Sequence, residues 1–159
     1  MFPNNKQIVT FVGHRDAYIS KQKKWEIKAH LQKLIHMGIK TFWIGANGNF
    51  DGTCATILKE LKDYYEDICV CAVTPYVSEG YLKELKRLVN EGYYDEIIYP
   101  PIENVPPKYA ILERNKYMID NADFLLTFID INIGGAYKSM EYAKSILFPF
   151  IHNFGSLKI

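Results

Sequence analysis

Three glycine-bearing segments of this sequence combine residue types suited to holding a phosphate: Val12-Gly13-His14-Arg15-Asp16, Gly45-Ala46-Asn47-Gly48-Asn49-Phe50-Asp51, and Asp130-Ile131-Asn132-Ile133-Gly134-Gly135-Ala136. Glycine lets backbone amides approach an anion closely and adopt left-handed conformations, so three such loops at one edge suit a phosphorylated ligand better than one would. Taken singly, Gly13, Gly45, Gly48, Gly134 and Gly135 are also ordinary turn residues. Arg15 can clasp a phosphate through its planar fork, and His14 can donate to a ligand or stack on a base, or be a loop residue satisfied by backbone. Asn47 is open between a turn role and ligand contact, and Asp51 between capping the following helix and accepting from a ribose hydroxyl. Further along, Arg114 and Glu141 are the residue types of glycosidic chemistry: the arginine holds phosphate while the carboxylate steers water or stabilises an oxocarbenium-like sugar. In isolation each is equally a surface ion-pair partner.

The elements that must position these groups are legible in the hydrophobic pattern. Apolar and β-branched runs at Gln7 to Val12, Thr41 to Ile44, Ile68 to Val73, Glu96 to Tyr99, Phe124 to Ile129 and Phe148 to His152 predict six strands. Between them, helical spacing links Ile27, Leu31, Leu34 and Ile35, and then Phe50, Cys54, Ile57, Leu58, Leu61 and Tyr65. Three more helices follow from Leu82 to Val89, Ile111 to Ala122, and Met140 to Leu147. Pro100 to Pro107 reads as an irregular connection, and Pro149 fits only the start or edge of a strand. Apolar strands alternating with amphipathic helices imply an α/β fold, a Rossmann-like three-layer sandwich with a mostly parallel sheet. Ligands bind such sheets beyond the carboxyl ends of the strands, where the three glycine loops fall.

Length and composition bound the rest. The 159 residues suit one domain spanning the chain, and 48% apolar with 23% charged residues excludes a disordered or collagen-like class. A net charge of +1 offers no broad basic field, so neither nucleic acid nor a membrane is expected as a partner. The cluster Lys21, Lys23 and Lys24 sits near a helix start, where the macrodipole disfavours cations unless an anion binds nearby; a solvated face explains it more simply. The opening Met-Phe-Pro-Asn-Asn-Lys-Gln lacks a secretory pattern and no apolar run is long enough to span a bilayer, so a cytoplasmic location is expected. Cys54, Cys69 and Cys71 are odd in number, and the C-x-C pair falls on one face of a strand, read as reduced core cysteines with no metal or cofactor.

Arg114-Asn115-Lys116-Tyr117-Met118, then Asn121-Ala122-Asp123-Phe124-Leu125-Leu126, then Gly134-Gly135 with Glu141, resembles the Lonely Guy (LOG) phosphoribohydrolases of the SLOG superfamily. The family pattern is Arg-Lys-x-x-Met, a strand, and Pro-Gly-Gly-x-Gly-Thr-x-x-Glu. Val12-Gly13-His14-Arg15 and the Gly45 to Asp51 loop followed by Cys54 look more like the YpsA-like branch, and together the resemblance spans nearly the whole chain. It implies a nucleotide or nucleotide-derived ligand, a homodimer, and the family's catalytic pair at Arg114 and Glu141. Asn115, Ile133, Tyr137 and Lys138 depart from the pattern, where it has lysine, proline, glycine and threonine. Tyr137 removes a glycine from the phosphate cradle, and Lys138 or Ser139 is then expected to supply the missing contact.

The reading is therefore a module that binds a nucleotide-derived ligand at the carboxyl edge of the sheet, as sensor or sequestering protein. The alternative is an N-glycosidic hydrolase of phosphoribohydrolase type acting on a nucleoside monophosphate. A nucleoside deoxyribosyltransferase with Glu141 as nucleophile ranks lower, because Val-Gly-His-Arg fits that family poorly. A protein-docking role for the 12 tyrosines is a third class.

Overall fold

In the computed structural model, residues 7–159 are described. The opening segment, on which the absence of a secretory pattern was read, lies outside the described residues save Gln7. Six strands form one sheet in the order β4-β3-β2-β1-β5-β6. They are β1 (Ile8–Gly13), β2 (Thr41–Ile44), β3 (Cys69–Val73), β4 (Glu96–Ile98), β5 (Phe124–Phe128) and β6 (Ile151–Asn153), and every neighbouring pair is parallel. The helices are α1 (Lys21–His36), α2 (Asn49–Leu61), α3 (Glu79–Asn90), α4 (Ala110–Asn121) and α5 (Gly135–Ser145). This is the Rossmann-like α/β sandwich that the alternation predicts.

Strand alternation distributes the apolar side chains to two cores. Val9, Phe11, Phe42, Ile44, Val70, Ala72 and Leu126 pack with Ile27 and Leu31 of α1, Leu58 of α2 and Leu85 of α3. On the other face, Val12 and Leu125 pack with Ile119 of α4 and Ala143 of α5. Parallel strands need crossovers, and right-handed crossovers put helices on opposite faces once the chain reverses direction across the sheet. The reversal occurs at β1: the chain first moves outward through β2, β3 and β4, then returns to place β5 on the other side of β1. The carboxyl ends of β1 and β5 thus diverge into separate loops and leave a crevice.

Several boundaries differ from expectation, most of them by one residue. The last strand forms at Ile151–Asn153 rather than from Phe148, because Phe148 N–H closes the end of α5 on the Ala143 carbonyl at 3.0 Å. Leu147 reverses the chain there in a left-handed conformation (φ 57°), and Pro149 has no amide to give to the ladder. Tyr65 and Leu147, included in the predicted helical stripes, lie just beyond α2 and α5. The proline-rich connection carries a short 3-10 turn at Pro107–Tyr109. All three cysteines are free, with Cys54 and Cys71 buried and Cys69 half-buried. Among the described residues, no helix is long and apolar enough to cross a membrane.

Candidate functional site

A cavity of about 300 Å³ opens at the crevice between the carboxyl ends of β1 and β5. It gathers Gly13, His14 and Arg15 from the loop after β1, Asn47 and Asp51 from the loop and helix after β2, and Gly134 and Gly135 at the start of α5. Arg114 and Asn115 of α4 also line it. The three glycine loops therefore converge. Phe11, Val12, Asp16, Ile111 and Ala136 complete the lining, and of these Phe11 and Ile111 lie outside the three glycine-bearing segments. The signal that could have found Ile111 was its position one helical turn before Arg114 and Asn115.

Arg114 is the organising residue. It is 2% exposed, and three of its N–H groups are held by protein acceptors: Nη1 donates to the carbonyls of Gly45 at 2.6 Å and Val73 at 2.9 Å, and Nε donates to Asn115 Oδ1 at 2.8 Å. These bonds tie α4 to the ends of β2 and β3. Gly45 is required for the approach, since a Cβ there would lie 2.7 Å from the guanidinium carbon. Asn115 Nδ2 in turn donates to Ser139 Oγ at 3.0 Å, and Ser139 donates to the Gly135 carbonyl at 2.9 Å. A buried chain of hydrogen bonds thus runs from the β2 loop to the first turn of α5.

Asp51 supplies the cavity's carboxylate. Its Oδ2 accepts from Asn47 N–H at 3.0 Å, a contact that fixes the turn leading into α2, whose cap position is Gly48 rather than Asp51. Its Oδ1 is buried without a hydrogen-bond partner. Burial pushes the Asp51 carboxyl up to about 6, opposed by the Arg114 charge and the Asn47 amide. Burial lowers the Arg114 guanidinium, with Asp51 acting in the opposite sense. The Tyr81 hydroxyl, on which Asp51 acts electrostatically, is the other buried polar group without a hydrogen-bond partner among the described residues.

Two helix starts face this edge without side-chain caps. Gly48 (φ 109°) precedes α2 and Gly134 (φ 93°) precedes α5. Gly48 is needed twice over, because a Cβ there would also lie 2.7 Å from Arg15 Cα. The first-turn amides of α5 carry the partial positive charge that an anion would complement. Arg15 is exposed at the rim. His14 is half-buried, its amide donating to the Phe128 carbonyl at 3.2 Å.

Not every expected residue arrives. Glu141 is exposed on α5, does not line the cavity, and pairs with Lys144 at 3.3 Å. Arg114 and Glu141 are therefore not brought together at this cavity. Helical geometry carries Glu141 to the solvent face, since its neighbours Met140 and Ala143 are the ones that pack inward. Arg114 is likewise placed as a peg rather than as a free phosphate clasp. Lys138 is exposed and outside the lining, Ser139 is buried beneath it, and Gly48 lines a neighbouring cleft.

That cleft, of about 820 Å³, lies between α1 and α2 and is bordered by Tyr18, Lys24, Trp25 and Lys28. Tyr18 and Trp25 are 84% and 74% exposed. Lys23 pairs with Glu26 at 3.1 Å, and Lys28 stands 3.9 Å from Glu60.

No protein-family model matches the chain. Solved structures do. DNA processing protein A from Helicobacter pylori, described for its single-stranded DNA binding mode, superposes with a TM-score of 0.64 at 15% identity over 92% of this chain and 65% of that one. DNA processing protein A from Streptococcus pneumoniae gives 0.63 at 16% identity, over 91% of this chain and 49% of that one. The Moco carrier protein of Chlamydomonas rheinhardtii gives 0.55 at 11% identity, over 96% and 79%. The chain has the Rossmann-like fold of these proteins. By sequence it also matches two Arabidopsis thaliana proteins, the disease resistance protein UNI (26% identity over 125 residues) and the probable disease resistance protein At1g61310 (27% over 142 residues). It spans only 14% and 15% of their lengths.

These neighbours correct one expectation. Nucleic acid was excluded on the net charge of +1, yet the same fold serves a protein described as binding single-stranded DNA. Net charge is a property of the whole surface, whereas a strand is held by local cations and aromatic faces. The exclusion does not stand.

Proposed function

We propose that this chain is a SLOG-type module that binds a nucleotide or nucleotide-derived ligand in the cavity between the β1 and β5 loops. The resemblance of Val12-Gly13-His14-Arg15 to the YpsA-like branch supports the finer placement. The observation that carries the reading is the unpartnered Asp51 Oδ1, buried in the lining of a cavity that also holds Arg15 and the uncapped start of α5. A phosphate suits the α5 amides and Arg15, while a ribose hydroxyl suits the ionised Asp51. Hydrolysis of an N-glycosidic bond is the lesser reading. With Glu141 outside the cavity, it would fall to Asp51, whose raised pKa suits proton transfer near neutrality.

The test is incubation of the purified protein with a nucleotide pool including AMP, ADP-ribose and cyclic species, with bound ligand and released base followed by mass spectrometry. Retention of an intact ligand, weakened by Arg15→Ala, supports a binding module. Free base that vanishes in Asp51→Asn makes the protein a hydrolase, and retention of nothing by the wild type removes the reading.

A second reading rests on the cleft between α1 and α2. Exposed Tyr18 and Trp25 offer stacking faces, and Lys24 and Lys28 offer cations, which is the arrangement that holds a single strand without reading its sequence. Binding of a labelled oligonucleotide at low salt, lost in Trp25→Ala but kept in Arg15→Ala, would favour it.

A further inference from the structure

Cys69 and Cys71 project from β3 on the face opposite Val70 and Ala72, which belong to the first core. The adjacent edge strand β4 sets Glu96 opposite Cys71 in register. The result is a cluster of donor atoms away from the nucleotide cavity. The two sulfurs are 3.7 Å apart, Cys71 Sγ is 3.9 Å from Glu96 Oε2, and all three atoms lie within 4.8 Å of one another. A tetrahedral ion with bonds of about 2.3 Å to sulfur has its ligand atoms roughly 3.8 Å apart along each edge. The sulfurs already stand at that spacing.

We propose that Cys69, Cys71 and Glu96 form a binding site for a thiophilic divalent cation of the zinc class, clipping the edge strand to the sheet. Two sulfurs and one carboxylate favour such an ion over magnesium or calcium, which take oxygen donors throughout. Three protein ligands leave the fourth position to water. Asp95 is engaged elsewhere: its Oδ2 accepts from Val70 N–H at 2.8 Å and pairs with Lys62 at 2.8 Å. Lys62 also acts on Cys69 and offsets part of the negative charge that two thiolates and a carboxylate bring together. On binding, each S–H proton leaves to solvent as its sulfur–metal bond forms, and nothing is oxidised or reduced. The clip has a structural purpose in this fold, since β4 is only three residues long and forms the sheet's edge.

Cobalt(II) is the probe, added anaerobically to the reduced full-length protein. Thiolate-to-cobalt absorption saturating at one ion per chain, with a rise in melting temperature, is the expected result. Cys69→Ser should abolish the absorption, and Glu96→Gln should weaken binding at least tenfold. Glu96 is exposed and Cys69 half-buried, and both replacements are close in size, so each variant should match the wild type's circular dichroism and metal-free melting. Replacement of the buried Cys71 is not needed for the decision. No thiolate absorption in the wild type, unchanged binding by Cys69→Ser, or unchanged binding by Glu96→Gln would each overturn the site.

Discussion

Arg114 Nη1 donates to the Gly45 carbonyl at 2.6 Å, joining a helix after the proline-rich connection to the turn that ends β2. Because Val73 and Asn115 accept from the same guanidinium, the floor of the cavity is set by one buried cation. Arg114→Ala leaves two backbone carbonyls unpaired and Asp51 without its nearby positive charge. Unfolding in urea should show a loss of about 3 to 5 kcal/mol, the scale for breaking a buried charged network. A loss below about 1 kcal/mol would mean that Arg114 is not the peg described.

Arg15 should behave oppositely. It is exposed at the rim, so Arg15→Ala should leave the urea midpoint unchanged. Affinity for a phosphorylated nucleoside should fall by about 1 to 3 kcal/mol, as for losing a charged hydrogen bond. Titration calorimetry on the same preparation separates the two effects.

Asp51 gives binding a pH dependence. The phosphates of ADP-ribose keep their charge through this range, so the titrating partner is on the protein. Below about 6 the carboxyl is neutral and is no longer the ionised acceptor that suits a ribose hydroxyl. Affinity for ADP-ribose should therefore weaken as pH falls from 7.5 to 5, and Asp51→Asn should flatten the profile. An Asp51→Asn profile as steep as the wild type's would assign the dependence to another group.

His30 and His152 stack at 4.6 Å beside Phe154, and burial lowers both, His30 to about 4, helped by His152 and Lys33. His152 is also acted on by Glu26, which raises it, and by Lys23. Since the ordinary histidine value is 6.5, the unfolded chain takes up protons first as pH falls. Their contribution is complete above about 6.5 and is lost as pH falls towards 4. His30→Phe, which keeps a ring against Phe154, should shrink the drop in melting temperature between pH 7.5 and 5. An undiminished drop would clear this pair of the effect.

Two glycines four residues apart should answer substitution with opposite signs. Gly48→Ala forces a Cβ into a left-handed backbone (φ 109°) and to within 2.7 Å of Arg15 Cα, and should cost about 1 to 3 kcal/mol. Gly52→Ala, in α2 with open space around it, should stabilise by about 0.5 to 1 kcal/mol. Thermal melts of the two variants decide the matter.

The sequence by itself determined the layered architecture, because each strand's apolar run and each helix's stripe are local signals that burial enforces wherever they fall. It also determined that the glycine loops share one edge, since all strands of a parallel sheet end on the same side. Only the tertiary structure decided which side chains meet there. Arg114 and Glu141 looked like a pair in a linear pattern, yet a helix fixes direction by rotation: Arg114 turns into the floor, while Glu141 turns to Lys144 and solvent. Asp51 was visible as a helix cap, but its second oxygen becomes chemically pointed only when packing removes water from it. Cys69, Cys71 and Glu96 lie more than twenty residues apart at their extremes, and it is the register of a short edge strand that brings their donor atoms within 4.8 Å of one another.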